Sequence, residues 1–150
     1  MLTVTTEYAL RALTHLARNP KGEATLGRDL AKAAHVPAKY LSKIMLSLRN
    51  AGIVDTTRGL GGGYRLLRSP NSVHLSDVVK IFEGGNSKPT CLLDSSRRCS
   101  EHHPCDAHPR FHDVQMAYHN FLRKTTLSDL ANGERTRAAM EEMATAIHPA

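Results

Sequence analysis

Apolar residues return at helical spacing through the first fifty positions, and the breaks in that rhythm mark where one element gives way to the next. Tyr8, Ala9, Ala12, Leu13, Leu16 and Ala17 form one apolar stripe, so a core helix is expected there, ending near Asn19-Pro20. A second, shorter helix fits Leu26 to Ala34. His35-Val36-Pro37 then breaks the chain, and Pro37 suits the first turn of a third helix, where the N–H it lacks would be unpaired anyway. On that helix Leu41, Ile44, Met45 and Leu48 face inward while Lys39, Ser42, Lys43 and Asn50 point away, until Ala51-Gly52 stops it. Ile53 to Thr57 and Tyr64 to Leu67 are short β-prone runs joined by Arg58-Gly59-Leu60-Gly61-Gly62-Gly63, which predicts a hairpin flanked by Arg58 and Arg65. This order of helices, turn and basic hairpin is that of a winged helix-turn-helix, whose third helix enters a DNA major groove while the wing reaches backbone or minor groove.

Beyond Pro70, Val73-His74-Leu75 leads to Ser76-Asp77, the expected N-cap of a helix bearing Val78, Val79, Ile81 and Phe82 and ended by Gly84-Gly85. Residues 86 to 105 show no periodicity, and a connection of that length in a compact domain is usually functional or disordered. From Phe111, the positions Val114, Tyr118, Phe121 and Leu122 share one helical face, for which the short remainder of the chain has little cover; a helix of a partner subunit is expected there. Leu127 to Ala131 and Glu134 to Ile147 fit further short helices. The expected fold is thus mainly α with a small β-hairpin wing. It divides into a winged helix-turn-helix at 1–75 and a second part at 76–150, holding a cysteine loop at 86–108 and a long dimerisation helix.

With 150 residues, 41% hydrophobic and 23% charged, the chain suits one soluble domain and leaves no room for a separate catalytic domain. No run is long and apolar enough for a membrane span, and MLTVTTEYAL lacks a basic-then-apolar leader pattern, so a cytoplasmic protein is expected. The net charge of +6 is unevenly spread: residues 1 to 70 carry 11 Lys/Arg against 4 Asp/Glu, and the rest carry 9 against 10. A basic half beside a neutral one points to a polyanion partner, because phosphate neutralisation with counterion release supplies most non-specific nucleic-acid affinity. No phosphate-binding loop, nucleophile elbow or helical HExxH is present, and an enzyme is not expected.

Cys91, Cys99 and Cys105 are the only cysteines, spaced C-x7-C-x5-C, an odd count that argues against a structural disulfide framework. Three soft thiolates on a loop can wrap an iron–sulfur cluster or a zinc ion, or serve as redox-active thiols. A metal needs a fourth ligand, and His108, three residues after Cys105, is near enough to share it. Five of the nine histidines lie between 102 and 119, where a solvated histidine-rich surface is the plainer reading for all but His108.

The stretch Thr6-Glu7-Tyr8-Ala9-Leu10-Arg11-Ala12-Leu13, the run Tyr40-Leu41-Ser42-Lys43-Ile44 with Leu48, the wing Arg58-Gly59-Leu60-Gly61-Gly62-Gly63-Tyr64 and the three-cysteine loop together resemble the Rrf-type bacterial winged-helix regulators, which include IscR-, NsrR- and RirA-like members. The resemblance runs from the first helix to Thr126-Leu127-Ser128-Asp129-Leu130. It implies a homodimeric transcription factor on double-stranded DNA, with an iron–sulfur cluster in each cysteine loop whose loss, oxidation or nitrosylation changes DNA binding. Cys91, Cys99 and Cys105 match the family's cluster ligands. His108 matches the histidine that IscR-like members use with a 2Fe-2S cluster, the favoured assignment. Glu7 of the partner subunit matches the acidic ligand that NsrR-like members pair with 4Fe-4S, and the x7 gap is nearer to RirA-like spacing. For DNA, the resemblance points to Lys39, Tyr40, Ser42 and Lys43 on the third helix, Arg58 and Arg65 in the wing, and Gly59, Gly61 and Gly62, where backbone can approach the duplex. Ser42 stands where IscR-like members carry a glutamate used for site discrimination, so the operator preference does not transfer.

Overall fold

The computed structural model describes residues 2–84 and 90–133. Thr3 starts the first helix, its hydroxyl accepting from the Thr6 N–H. Helix α1 (Val4–Arg18) buries Ala9, Ala12, Leu13 and Leu16 and ends at Asn19, ahead of Pro20. Helix α2 (Gly27–Ala33) closes on His35 in the left-handed region, φ 52°. There the His35 N–H donates to the Lys32 carbonyl and the Val36 N–H to that of Ala31, so a histidine closes the helix with the pattern glycine usually supplies. That turn aims α3 (Ala38–Asn50), whose Leu41, Ile44, Met45 and Leu48 are all buried, as their spacing predicts.

Strands β1 (Val54–Thr57) and β2 (Gly63–Leu66) pair antiparallel, with Asp55 opposite Arg65 and Thr56 opposite Tyr64. Tyr64 also exchanges two backbone hydrogen bonds of 2.8 Å with Thr25, so the α1–α2 connection lies against the hairpin as a third strand-like partner. The sequence pattern carries no sign of this pairing.

A 3-10 turn at Pro70–Ser72 leads to α4 (Leu75–Glu83). Its N-cap is His74, not the expected Ser76-Asp77; Asp77 sits at the third helical position and reaches back to accept from the His74 N–H at 3.0 Å. The helix starts early because its first residues are tied to the end of the long helix: His74 bridges Thr126, and the Leu75 N–H donates to the Thr125 carbonyl at 3.0 Å. Helix α5 (His108–Lys124) begins three residues before Phe111 and packs on α4. Its apolar stripe divides, with Leu122 buried and Tyr118 packed on the core, while Val114 and Phe121 are 63% and 51% exposed. Residues 127–133 are helical and Leu127 is fully buried. The helix expected over Glu134 to Ile147 lies outside the described residues.

One core joins these pieces. Leu13, Leu30, Met45, Leu48 and Ile53 fill its centre, and Val73, Val78, Leu122 and Leu127 belong to the same buried cluster. At about 2 kcal/mol per fully buried large aliphatic side chain, this cluster docks α4 and α5 firmly against the first three helices. No helix among the described residues is long and apolar enough to cross a membrane.

Candidate nucleic-acid interface and cysteine loop

Core packing of α3 leaves Lys39, Tyr40, Ser42 and Lys43 exposed together at its N-terminal end. Lys39 Nζ lies 5.0 Å from the centre of the Tyr40 ring, and Tyr40 is 6.2 Å, ring to ring, from Tyr8 of α1, over which Arg11 is placed at 5.7 Å. Arg58, Gly59, Leu60 and Gly61 are exposed at the hairpin tip, whereas Gly62 is buried against the Thr57 and Gly59 carbonyls. Arg65 differs from the other basic candidates: its Nη2 donates to Asp55 Oδ2 at 3.1 Å across the strands, which engages the guanidinium within the wing. The Arg65 hydrogen bond, with one from the Thr56 N–H, holds the Asp55 carboxyl below its ordinary value of 3.8. A depressed folded pKa means that this contribution to the hairpin is complete above that value and is lost as pH falls through the lower folded one. An NMR titration of Asp55 is expected to show its midpoint below 3.8, and Arg65→Ala to raise it while the Thr56 hydrogen bond remains.

The cysteine loop springs from the end of α4 and returns at the start of α5. Thr90 bridges Arg98 and the Cys91 N–H donates to the Arg97 carbonyl at 2.9 Å. Cys99 Sγ is 3.2 Å from His108 Nδ1, and the His108 N–H donates to the Cys105 carbonyl at 2.8 Å. Cys91 accepts from the Leu93 N–H and is hydrogen-bonded to the Cys105 thiol; these lower its pKa, against opposing contributions from burial and the Asp94 charge. The four predicted ligands therefore stand as two pairs, Cys91 with Cys105 and Cys99 with His108. Among the described residues no three metal-ligating side chains converge on one point. Glu7 is exposed on the first turn of α1.

Beside the Cys99–His108 pair lies an open cavity of about 240 Å³, lined among others by His102, His112 and Gln115. Gln115 Nε2 is buried without a hydrogen-bond partner among the described residues. Soft thiolates, an imidazole and room beside them suit a metal or cluster held by sulfur and nitrogen, and the Gln115 amide N–H is a donor of the kind that a thiolate or a cluster sulfide accepts from. Neither Gln115 nor the cavity was visible in the sequence, since a glutamine in a helix carries no spacing signal.

An exposed basic helix beside a glycine-rich hairpin, both seated on a helical base, defines the class of winged-helix DNA-binding regulators. The chain belongs to the Rrf2 family, described as iron-dependent transcriptional regulators, whose model matches residues 2–133. It is 33% identical over 129 residues to the transcriptional regulator NsrR of Geobacillus kaustophilus, covering 86% of this chain and 88% of that one. Its fold is similar to that of CymR, the global cysteine regulator of B. subtilis, with a TM-score of 0.74, 26% identity, and 88% and 96% of the two chains covered. The T. potens IscR structure shares the fold at a TM-score of 0.68 and 21% identity, over 89% of this chain and 88% of that one. The protein is a transcriptional regulator that binds DNA.

Proposed function

We propose that the protein is a homodimeric repressor whose affinity for a two-fold symmetric operator is set by an iron–sulfur cluster held by Cys91, Cys99, Cys105 and His108. The observation that carries this reading is the Cys99–His108 contact of 3.2 Å, which places the imidazole among the thiols within one loop. Bound there, an iron–sulfur cluster would supply redox- and nitric-oxide-sensitive iron, held by Cys91, Cys99, Cys105 and His108. The residues of the chain do the rest: the loop fixes α4 relative to α5, and α3 and the wing meet DNA. The 2Fe-2S form goes with His108; the 4Fe-4S form goes with Glu7 of the partner subunit. The exposed Val114 and Phe121 on α5 suit the partner helix of a dimer.

Protein purified without oxygen is expected to be brown, with iron and acid-labile sulfide in equal amounts and the count per chain distinguishing two irons from four. Colourless protein with stoichiometric zinc would replace this reading with a structural site, for which three cysteines and a histidine are equally suited. Metal-free protein would point to a thiol switch. His108→Ala is expected to shift the visible bands and weaken cluster retention; an unchanged spectrum would assign the fourth position to Glu7 of the partner subunit.

On the DNA side, Arg58 at the exposed wing tip reaches phosphate or the minor groove, while Lys39 and Lys43 add phosphate affinity more than base choice. Arg58→Ala is expected to weaken binding about tenfold and to reduce the slope of log affinity against log salt by about one. Fluorescence anisotropy over a salt series reads both, and an unchanged slope would remove Arg58 from the interface.

A further inference from the structure

The start of α1 is held by a carboxylate from the end of α4. Glu83 Oε1 accepts from the Thr3 N–H at 2.8 Å, from the Thr3 hydroxyl at 2.8 Å and from the Thr6 hydroxyl at 2.5 Å. Thr6 is fully buried, the one such polar residue among those described. Glu83 is the last residue of α4, and Gly84, at φ 79°, opens the connection towards Cys91. Tyr118 of α5 lies close enough to feel the Glu83 charge. The last turn of α4 is thus tied to the first turn of α1 through this carboxylate, within a broader packing of the two helices. Two residues past Thr6, Tyr8 carries the contact onward to Tyr40 on the exposed end of α3.

We propose that Glu83 is the positioning residue through which the cysteine loop sets the pose of α1 and, by way of Tyr8 and Tyr40, that of the recognition helix. The proposed coupling requires two arrangements of this hydrogen-bonded group. With Glu83 engaged, three donors fix the first turn of α1, and a negative charge there is also favoured by the helix dipole. With the last turn of α4 withdrawn, the buried Thr6 hydroxyl would be left to the Thr3 hydroxyl, already 3.1 Å away, and α1 would resettle around that weaker pairing. A loop that changes shape can bias such a two-state contact, and this is the physical requirement for coupling between distant sites.

This inference rests on the reading that the loop governs operator affinity, and not on which metal occupies it. All three cysteines of the chain lie in the loop, so alkylating metal-free protein with iodoacetamide perturbs that loop alone. The probe is a duplex selected by the wild-type protein from a random-sequence pool, titrated before and after alkylation. Wild type is expected to change affinity at least tenfold on alkylation. In Glu83→Gln, which keeps size but loses charge, and in Thr6→Val, which keeps Glu83 but removes its buried donor, the ratio is expected to fall below threefold. A merely structural role would lower Tm and weaken both forms equally, leaving the ratio at its wild-type value, and would overturn the proposal. So would a wild-type affinity indifferent to alkylation, whereas protein lacking iron and sulfide overturns only the cluster reading.

Discussion

Cys99→Ala is expected to give colourless protein with iron below a tenth of the wild-type content after anaerobic purification, while far-UV circular dichroism stays unchanged. Cys99 is half-buried on a loop and contributes nothing to the core cluster, so its removal costs little stability in the metal-free chain. Its thiol is the one that meets His108, at 3.2 Å, and without it the remaining sulfur ligands are only the Cys91–Cys105 pair. Two thiols and an unanchored imidazole hold a cluster poorly, because metal binding depends on ligands pre-set by one another. The variant is also expected to bind the selected duplex with an affinity that iron and nitric oxide no longer alter. Retention of wild-type iron and colour would show that the three-cysteine site is wrong.

Gly63→Ala is expected to detach the wing from its base. Gly63 adopts φ +145°, and a Cβ there would lie 2.1 Å from the Thr25 carbonyl oxygen and 2.8 Å from Leu26 N. Both obstacles are backbone, so no side chain can swing aside, and the chain must open the paired hydrogen bonds between Thr25 and Tyr64. Two lost bonds and the strained φ together are expected to cost about 2–4 kcal/mol. Under the proposed reading, in which α3 and the wing meet the duplex together, affinity for the selected duplex is expected to fall more than tenfold although the helices of the core persist. Urea unfolding and anisotropy measure the two effects separately; unchanged values in both would mean that the wing does not need its seat on Thr25.

The local rhythm of the chain made most of the fold legible. The inward face of α3 and the end of α1 at Asn19 follow from spacing and stop signals, because both depend on residues within a turn or two. The cap of α4 lies two residues before the position its sequence suggests, because an aspartate at the third helical position looks, in sequence, much like one at the N-cap. What separates them is a bridge to Thr126, far along the chain. The α5 stripe is a single surface by spacing, yet Leu122 turns into the core and Phe121 to solvent, a division set by where α4 lies. Contacts such as Thr6 with Glu83, 77 positions apart, leave no periodic trace at all. In the loop, the cysteines and His108 announced themselves by type and spacing, but their arrangement as two pairs belongs to the folded backbone.

The wing tip is built unevenly. Gly62 is walled in, with space for no side chain before the Thr57 carbonyl at 2.6 Å, while neighbouring Leu60 extends fully into solvent. The hairpin therefore tolerates substitution unevenly: the walled-in frame resists a side chain, whereas a change at outward-facing Leu60 leaves the fold undisturbed. Leu60 is therefore a place where a spectroscopic label can report on the wing in solution without loosening its frame.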